Sequence, residues 1–216
     1  THTYQPFYHN YMKFILLTLT AFTISFSGFS QDSLKGIQFE TGTWEEVLAV
    51  AKKENKPIFV DAYTTWCGPC KWMARTTFTD EEVGSYMSKN FVSYKMDMEK
   101  GEGIDLAKQY GVRGFPTIIF ANDKGAEVDR IIGYRPPETF LKELKRIHSG
   151  KNTLPDMLDD FKQNPTKFNT LFKLTKKYES MNDLISARRM VNAIIDAGTD
   201  SAGTAAFYSI LYDARE

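Results

Sequence analysis

Apolar and polar positions fall into three regimes along the chain. Residues 14–26 form an almost unbroken apolar run, introduced by Lys13: Phe14-Ile15-Leu16-Leu17-Thr18-Leu19-Thr20-Ala21-Phe22-Thr23-Ile24-Ser25-Phe26. Between 44 and 148, short apolar runs alternate with stretches of helical periodicity. From Lys151 onward the strand-like runs stop. Apolar residues then recur at helical spacing in Leu154/Leu158/Phe161, Phe168/Leu171/Phe172/Leu174, Leu184/Ala187/Val191/Ile194 and Phe207/Ile210/Leu211.

The middle regime predicts a specific order of elements. Thr43 followed by Glu46 is a capping box, opening an amphipathic helix that runs to about Glu54. Ile58 to Tyr63 is too continuously apolar for a half-exposed edge and reads as a buried central strand. A helix follows from Cys67 to about Phe78, and Asp80 caps another. Phe91 to Asp97 is a second buried strand, with a helix around Ile104 to Tyr110 after it. Thr117 to Phe120 and Glu127 to Ile132 are strands joined by Asn122-Asp123-Lys124-Gly125, whose glycine supplies the positive φ of a hairpin turn. Pro136 and Pro137 start a helix that reaches His148. Helices and strands that alternate, with one hairpin near the end, predict a three-layer α/β domain with a mixed central sheet. The regime after 151 is all-α, with Ser149-Gly150-Lys151-Asn152 as the joint. The expected boundaries are 1–30, 31–150 and 151–216.

The first regime predicts export. One positive charge, a short apolar segment and small residues at Gly28 and Ser30 read as a secretory signal peptide cut near Ser30–Gln31. A membrane anchor would need about 20 apolar residues, and this run is shorter and dotted with hydroxyls. No cysteine lies near the cut to carry a lipid. Thr1 to Tyr11 precede the first methionine and are set aside as upstream sequence. The mature chain is thus expected to be periplasmic or otherwise exported, and not membrane-spanning.

Charge and cysteine content narrow the chemistry. The 27 basic and 27 acidic side chains balance, which leaves no long-range pull toward nucleic acid. The two cysteines, Cys67 and Cys70, cannot build a disulfide-dense scaffold, so the fold must rest on its own core. At the start of a helix, residues i and i+3 face the same way at a spacing that suits an unstrained disulfide. The first sulfur lies where free N–H groups and the helix dipole favour a thiolate, so Cys67 is the candidate nucleophile. Cys70, one turn deeper, is the candidate resolving thiol. Pro69 restrains the turn, and Gly68 leaves the approach to Cys67 open. Two other readings compete. A zinc site would need four ligands, and beyond the cut the chain adds only His148 to the pair. An inert structural disulfide would close a four-residue ring, which constrains little chain entropy. No cofactor is expected.

Asp61 is an anomaly in an apolar strand, six residues before Cys67. If buried, its pKa is raised by desolvation, and it can accept or return the Cys70 proton through a water. If it faces outward, it is merely solvated. Lys95, in the next strand, is its candidate partner.

These residues resemble the thioredoxin family. Trp66-Cys67-Gly68-Pro69-Cys70-Lys71 is similar to that family's active-site signature, and Asp61 and Lys95 fall where its buried acid and partner lysine stand. Gly111-Val112-Arg113-Gly114-Phe115-Pro116-Thr117 looks like its cis-proline loop, and Gly133 also fits. Thr77-Phe78-Thr79-Asp80-Glu81-Glu82-Val83 is similar to the branch of exported thiol:disulfide interchange proteins. The resemblance covers about 35–148. It implies a thioredoxin fold, dithiol–disulfide exchange, a cis bond before Pro116, and substrate contact through Phe115 and Pro116 beside Trp66, Gly68 and Pro69. The Gly-Pro pair between the cysteines resembles the reducing members of the family. An exported reductant implies a membrane electron donor and disulfide-containing exported proteins as substrates.

The helical segment is less specific. Leu171, Leu174, Tyr178 and Ala187 fall at tetratricopeptide spacing, without the repeat's usual Trp, first Gly and closing Pro. The final stretch, Ala205 to Tyr212, has no cap after it, so the chain is truncated there or that helix docks on the domain or a partner. The rival function is accordingly a partner-binding module built on these helices, with a regulatory or structural cysteine pair.

Overall fold

The two helix starts that the sequence marks with a capping residue, Thr43 and Asp80, are capped by those side chains. The computed structural model describes residues 36–198. In α1 (Trp44–Glu54) the Thr43 side chain accepts from the Glu46 N–H while the Glu46 carboxylate accepts from the Thr43 N–H, so the capping box is complete. The chain continues through β1 (Ile58–Tyr63), α2 (Gly68–Thr76), α3 (Glu81–Asn90) and β2 (Val92–Asp97). It then forms α4 (Gly103–Gln109), β3 (Thr117–Ala121), β4 (Glu127–Ile132) and α5 (Pro137–His148). Asp80 caps α3 by accepting from the Val83 N–H at 2.9 Å.

The four strands lie in the order β2-β1-β3-β4. The long connection through α2 and α3 makes β2 parallel to β1, with Asp61 opposite Lys95. β3 runs antiparallel to β1, and the Asn122–Gly125 turn returns β4 antiparallel to β3, Gly125 taking φ +75°. The sequence missed one pairing: Glu40 bridges Tyr94 in parallel, so the segment before α1 adds a stub beside β2.

Alternation along β1 assigns the two faces. Ile58, Val60 and Ala62 pack with Trp44, Val47 and Ala51 of α1 and Leu106 of α4. Phe59 packs on the opposite side with Met73 of α2, Val83 and Met87 of α3, and Phe140 and Leu144 of α5. This is a mixed sheet between two helical layers, the thioredoxin fold. Asp61 follows Phe59 by two residues and so lies on the side that α2 covers. It is 2% exposed, which overturns the solvated alternative: helices cover both faces of the strand, and no outward face remains.

Three further helices follow, α6 (Leu154–Gln163), α7 (Phe168–Ser180) and α8 (Leu184–Asp196). The short link at Met181–Asp183, with Asn182 at φ +58° and Asp183 capping α8, turns α7 and α8 into a hairpin. Leu171 packs on Ile194, and Phe172, Tyr178 and Leu184 on Ala187 and Val191. The predicted helix around Phe207/Ile210/Leu211 and the apolar run at 14–26 lie outside the described residues. Among the described residues no helix is long and apolar enough to cross a membrane.

A buried ionic cluster ties the hairpin to the sheet. Asp129, on β4, is fully buried. Its Oδ1 accepts from Lys177 Nζ of α7, and its Oδ2 from Arg146 Nη1 of α5 at 2.9 Å. Arg146 also donates to the Lys151 and Asn152 carbonyls, so the joint is held rather than left as a loose linker. Burial pushes the Lys177 ammonium pKa down, and the Asp129 carboxylate opposes that push. Asp129→Ala strands the buried Lys177 ammonium, while Arg146 keeps its bonds to Glu143, and is expected to cost about 3–5 kcal/mol in chemical denaturation. Lys177→Met, which keeps the volume and leaves the Asp129–Arg146 pair, should cost far less. A loss below about 1 kcal/mol in Asp129→Ala would mean that the cluster does not hold the hairpin.

Candidate active site

The site forms where β1 hands the chain to α2. Cys67 is the N-cap of α2, and its Sγ accepts from the Cys70 N–H at 3.1 Å. The Cys67 N–H donates back to the Thr64 carbonyl at 3.3 Å, closing the turn that follows β1. Pro69 stands in the first turn, where its missing N–H removes no helical bond. Cys67 and Cys70 are joined by a disulfide with Cα atoms 5.3 Å apart. A negative sulfur at position 67 would meet the free N–H groups of the first helical turn.

The expectation that Cys70 is the deeper thiol needs correction. The two residues are buried alike, at 3% and 5% exposure, because the disulfide folds each side chain against the other. Position in the helix distinguishes them, not depth. Gly68 and Pro69 between them are exposed, and a Cβ added at Gly68 would meet nothing within 4 Å.

The predicted cis bond is present between Phe115 and Pro116. The Pro116 carbonyl accepts from the Gly133 N–H at 2.8 Å, which fixes this loop to the end of β4. Gly133 takes φ +82°, a conformation that a side chain would strain. The Phe115 ring meets the Trp66 ring edge-on, with centroids 5.9 Å apart, so the loop and the cysteine turn adjoin. Trp66 is 65% exposed.

Asp61 and Lys95 meet as their strand register requires, with Lys95 Nζ 3.3 Å from Asp61 Oδ2. The ammonium also lies over the Tyr63 ring, 4.6 Å from its centroid. Burial pushes the Asp61 carboxyl from its ordinary 3.8 up to about 6, with Lys95 restraining the rise. Sequence reasoning missed two neighbours. Trp72, 54% exposed, packs against Tyr134, and Glu99 hydrogen-bonds Trp66. Neither pair has a spacing signal, since each joins residues far apart in the chain.

A vicinal cysteine pair at a helix N-terminus, on this sheet, is the arrangement that dithiol–disulfide exchange requires. Residues 44–148 match the thioredoxin-like domain family. A solved protein from Bacteroides thetaiotaomicron, provisionally described as a disulphide-isomerase, is 44% identical; the match covers 52% of this chain and 93% of that one, with a TM-score of 0.48. A thioredoxin from Thermus thermophilus is 30% identical over 52% of this chain and 87% of that one, with a TM-score of 0.47. The thiol:disulfide interchange protein DsbD of Vibrio vulnificus is 34% identical over 107 residues, 48% of this chain. The chain spans about a fifth of the length of the curated relatives it matches, 18–20%. Residues 44–148 thus form a thioredoxin-like domain.

The raised Asp61 pKa has a stability consequence. The folded chain holds the Asp61 proton up to about pH 6, whereas the unfolded chain releases it near 3.8. Stability therefore falls as pH rises between these values and levels off above them, a loss of about 3 kcal/mol from this group. Asp61→Asn has no such proton to lose. In denaturant titrations of the oxidised protein it should gain about 1–3 kcal/mol over wild type at pH 8 relative to pH 4. Parallel stability curves for the two proteins would contradict this account.

Proposed function

We propose that the chain is an exported thiol:disulfide oxidoreductase that reduces or isomerises disulfides in other exported proteins. The carrying observation is Cys67 as the N-cap of α2, paired with Cys70 one turn later. In the reduced enzyme the Cys67 thiolate attacks a substrate disulfide, forming a mixed disulfide and expelling one substrate thiolate, which takes up a proton. Cys70 then gives up its proton and attacks Cys67 Sγ, which releases the second substrate sulfur and leaves the Cys67–Cys70 disulfide. Asp61, on the side of the sheet that α2 covers, is the acceptor for the Cys70 proton, and Lys95 stabilises its charged form. Trp66, Gly68, Pro69, Phe115 and Pro116 form the surface on which the substrate docks.

Two electrons leave the enzyme in each reductive cycle, so a membrane electron donor must return them. The export reading is supported by the apolar run at 14–26 with its small residues at 28 and 30, and by relatives named as interchange proteins. It places the mature protein in the periplasm or another exported location, with a thioredoxin-like domain over 31–150 and the helical segment over 151–216 appended to it. The sequence branch suggested by residues 77–83 belongs to the same reading.

The test uses two cysteine variants and one equilibrium. Cys70→Ser should accumulate a mixed disulfide through Cys67, and Cys67→Ser should lose disulfide reduction altogether. Equilibration with glutathione then fixes the direction. A potential near about −270 mV makes the protein a reductant, and one near about −120 mV an oxidant of folding proteins. Wild-type reductase activity in Cys67→Ser would sink the proposal.

A further inference from the structure

The loop between β2 and α4 presents a carboxylate that the exchange cycle does not use. Glu99 Oε2 accepts from Trp66 Nε1 at 2.8 Å, across 33 residues of chain. The same indole meets Phe115 edge-on on the cis-proline loop. Trp66 is thus gripped at its polar edge and against one ring, while 65% of the residue stays open to solvent immediately before Cys67.

The backbone under Glu99 is built rather than loose. The Glu99 N–H donates to Asp97 Oδ1 at 3.1 Å, and the preceding Met98 N–H donates to the Tyr63 carbonyl at the end of β1, at 2.9 Å. Met98 itself is buried. Lys100 closes the turn, its N–H 3.2 Å from the Asp97 carbonyl and its Nζ 3.4 Å from Asp97 Oδ2. Glu102 ties the loop to α1 by accepting from the Trp44 N–H at 2.9 Å. A Cβ at Gly103 would lie 2.0 Å from the Asp97 carbonyl oxygen, so the close return of the chain requires glycine there. The backbone that carries Glu99 is therefore fixed before any substrate arrives, and the exposed side chain reaches from it to the indole.

An exposed indole without such a tether samples several rotamers, and each docking substrate must then order it at an entropic cost. We propose that Glu99 is a positioning residue for protein disulfides: it holds the Trp66 ring in one orientation, so that Trp66 and Phe115 present a preformed apolar wall beside the cysteine pair. The partner is an extended polypeptide segment that carries an apolar side chain next to its disulfide. A small disulfide, which reaches the sulfurs without covering the wall, gains nothing from the tether. This rests on the exchange activity proposed above.

The test compares wild type, Glu99→Ala and Glu99→Gln in reducing insulin, with dithiothreitol as the electron source, and in the single-turnover reduction of a small aromatic disulfide, 5,5′-dithiobis(2-nitrobenzoate), by the pre-reduced proteins after dithiothreitol has been removed. Glu99→Ala should raise KM for insulin roughly three- to tenfold with little change in kcat. Glu99→Gln, whose amide oxygen can still accept, should stay closer to wild type. Rates with the small disulfide should match in all three. In a background carrying Trp44→Phe and Trp72→Phe, where Trp66 is the single tryptophan, Glu99→Ala should also lower the fluorescence anisotropy of Trp66. An unchanged insulin KM, an unchanged anisotropy, or an equal loss with both substrates would overturn the proposal. If wild type reduces neither substrate, the exchange reading fails by itself, and the anisotropy still decides whether Glu99 restrains Trp66.

Discussion

A strand buried on both faces that ends at a helix N-terminus is the constraint on which this structure depends. β1 is covered by α1 and α4 on one side and by α2, α3 and α5 on the other, so its direction is fixed by packing. The turn after Tyr63 then has one task, to place Cys67 where the free N–H groups of α2 begin. The cis-proline loop and the Gly133 N–H are delivered to the same end of the sheet by β3 and β4. The site is thus the meeting point of loops whose strands are locked side by side, and its geometry inherits the rigidity of the sheet.

Two buried aspartates show how position decides the use of a charge. Asp129 is enclosed by Lys177 and Arg146 and joins three elements, a structural use of a carboxylate. Asp61 has a single ammonium beside it, itself part-exposed and shared with the Tyr63 ring, so desolvation outweighs attraction and the proton is retained to about pH 6. A carboxyl that exchanges its proton near neutrality suits a reaction in which thiols gain and lose protons. One that is fully paired does not.

Most of the fold was legible along the chain because its signals are local. The capping box at Thr43–Glu46, the continuous apolar run of β1 and the Asn122–Gly125 turn each act within a few residues, and the structure carries each of them, whereas β2, expected as buried, is part-exposed over Lys95–Asp97. The cysteine spacing was legible for the same reason. The bridge from Glu40 to Tyr94, the tether from Glu99 to Trp66 and the clamp on Asp129 were not, because each joins residues that no period or motif relates. The relative depth of the two cysteines was misread, since a helical period ranks positions on a bare helix and not under a disulfide.

The sequence by itself determined the elements, the mixed α/β class, the vicinal cysteines at a helix start and the presence of an acid in an apolar strand. Those follow from propensity, periodicity and spacing, which operate between near neighbours. Only the tertiary structure decided that this acid is buried against Lys95, that Phe115 meets Trp66 while Gly133 holds the Pro116 carbonyl, and that the C-terminal hairpin is pinned to β4. Desolvation and ion pairing depend on what the rest of the chain places around a group, and that surrounding exists only once the sheet and its helices have packed.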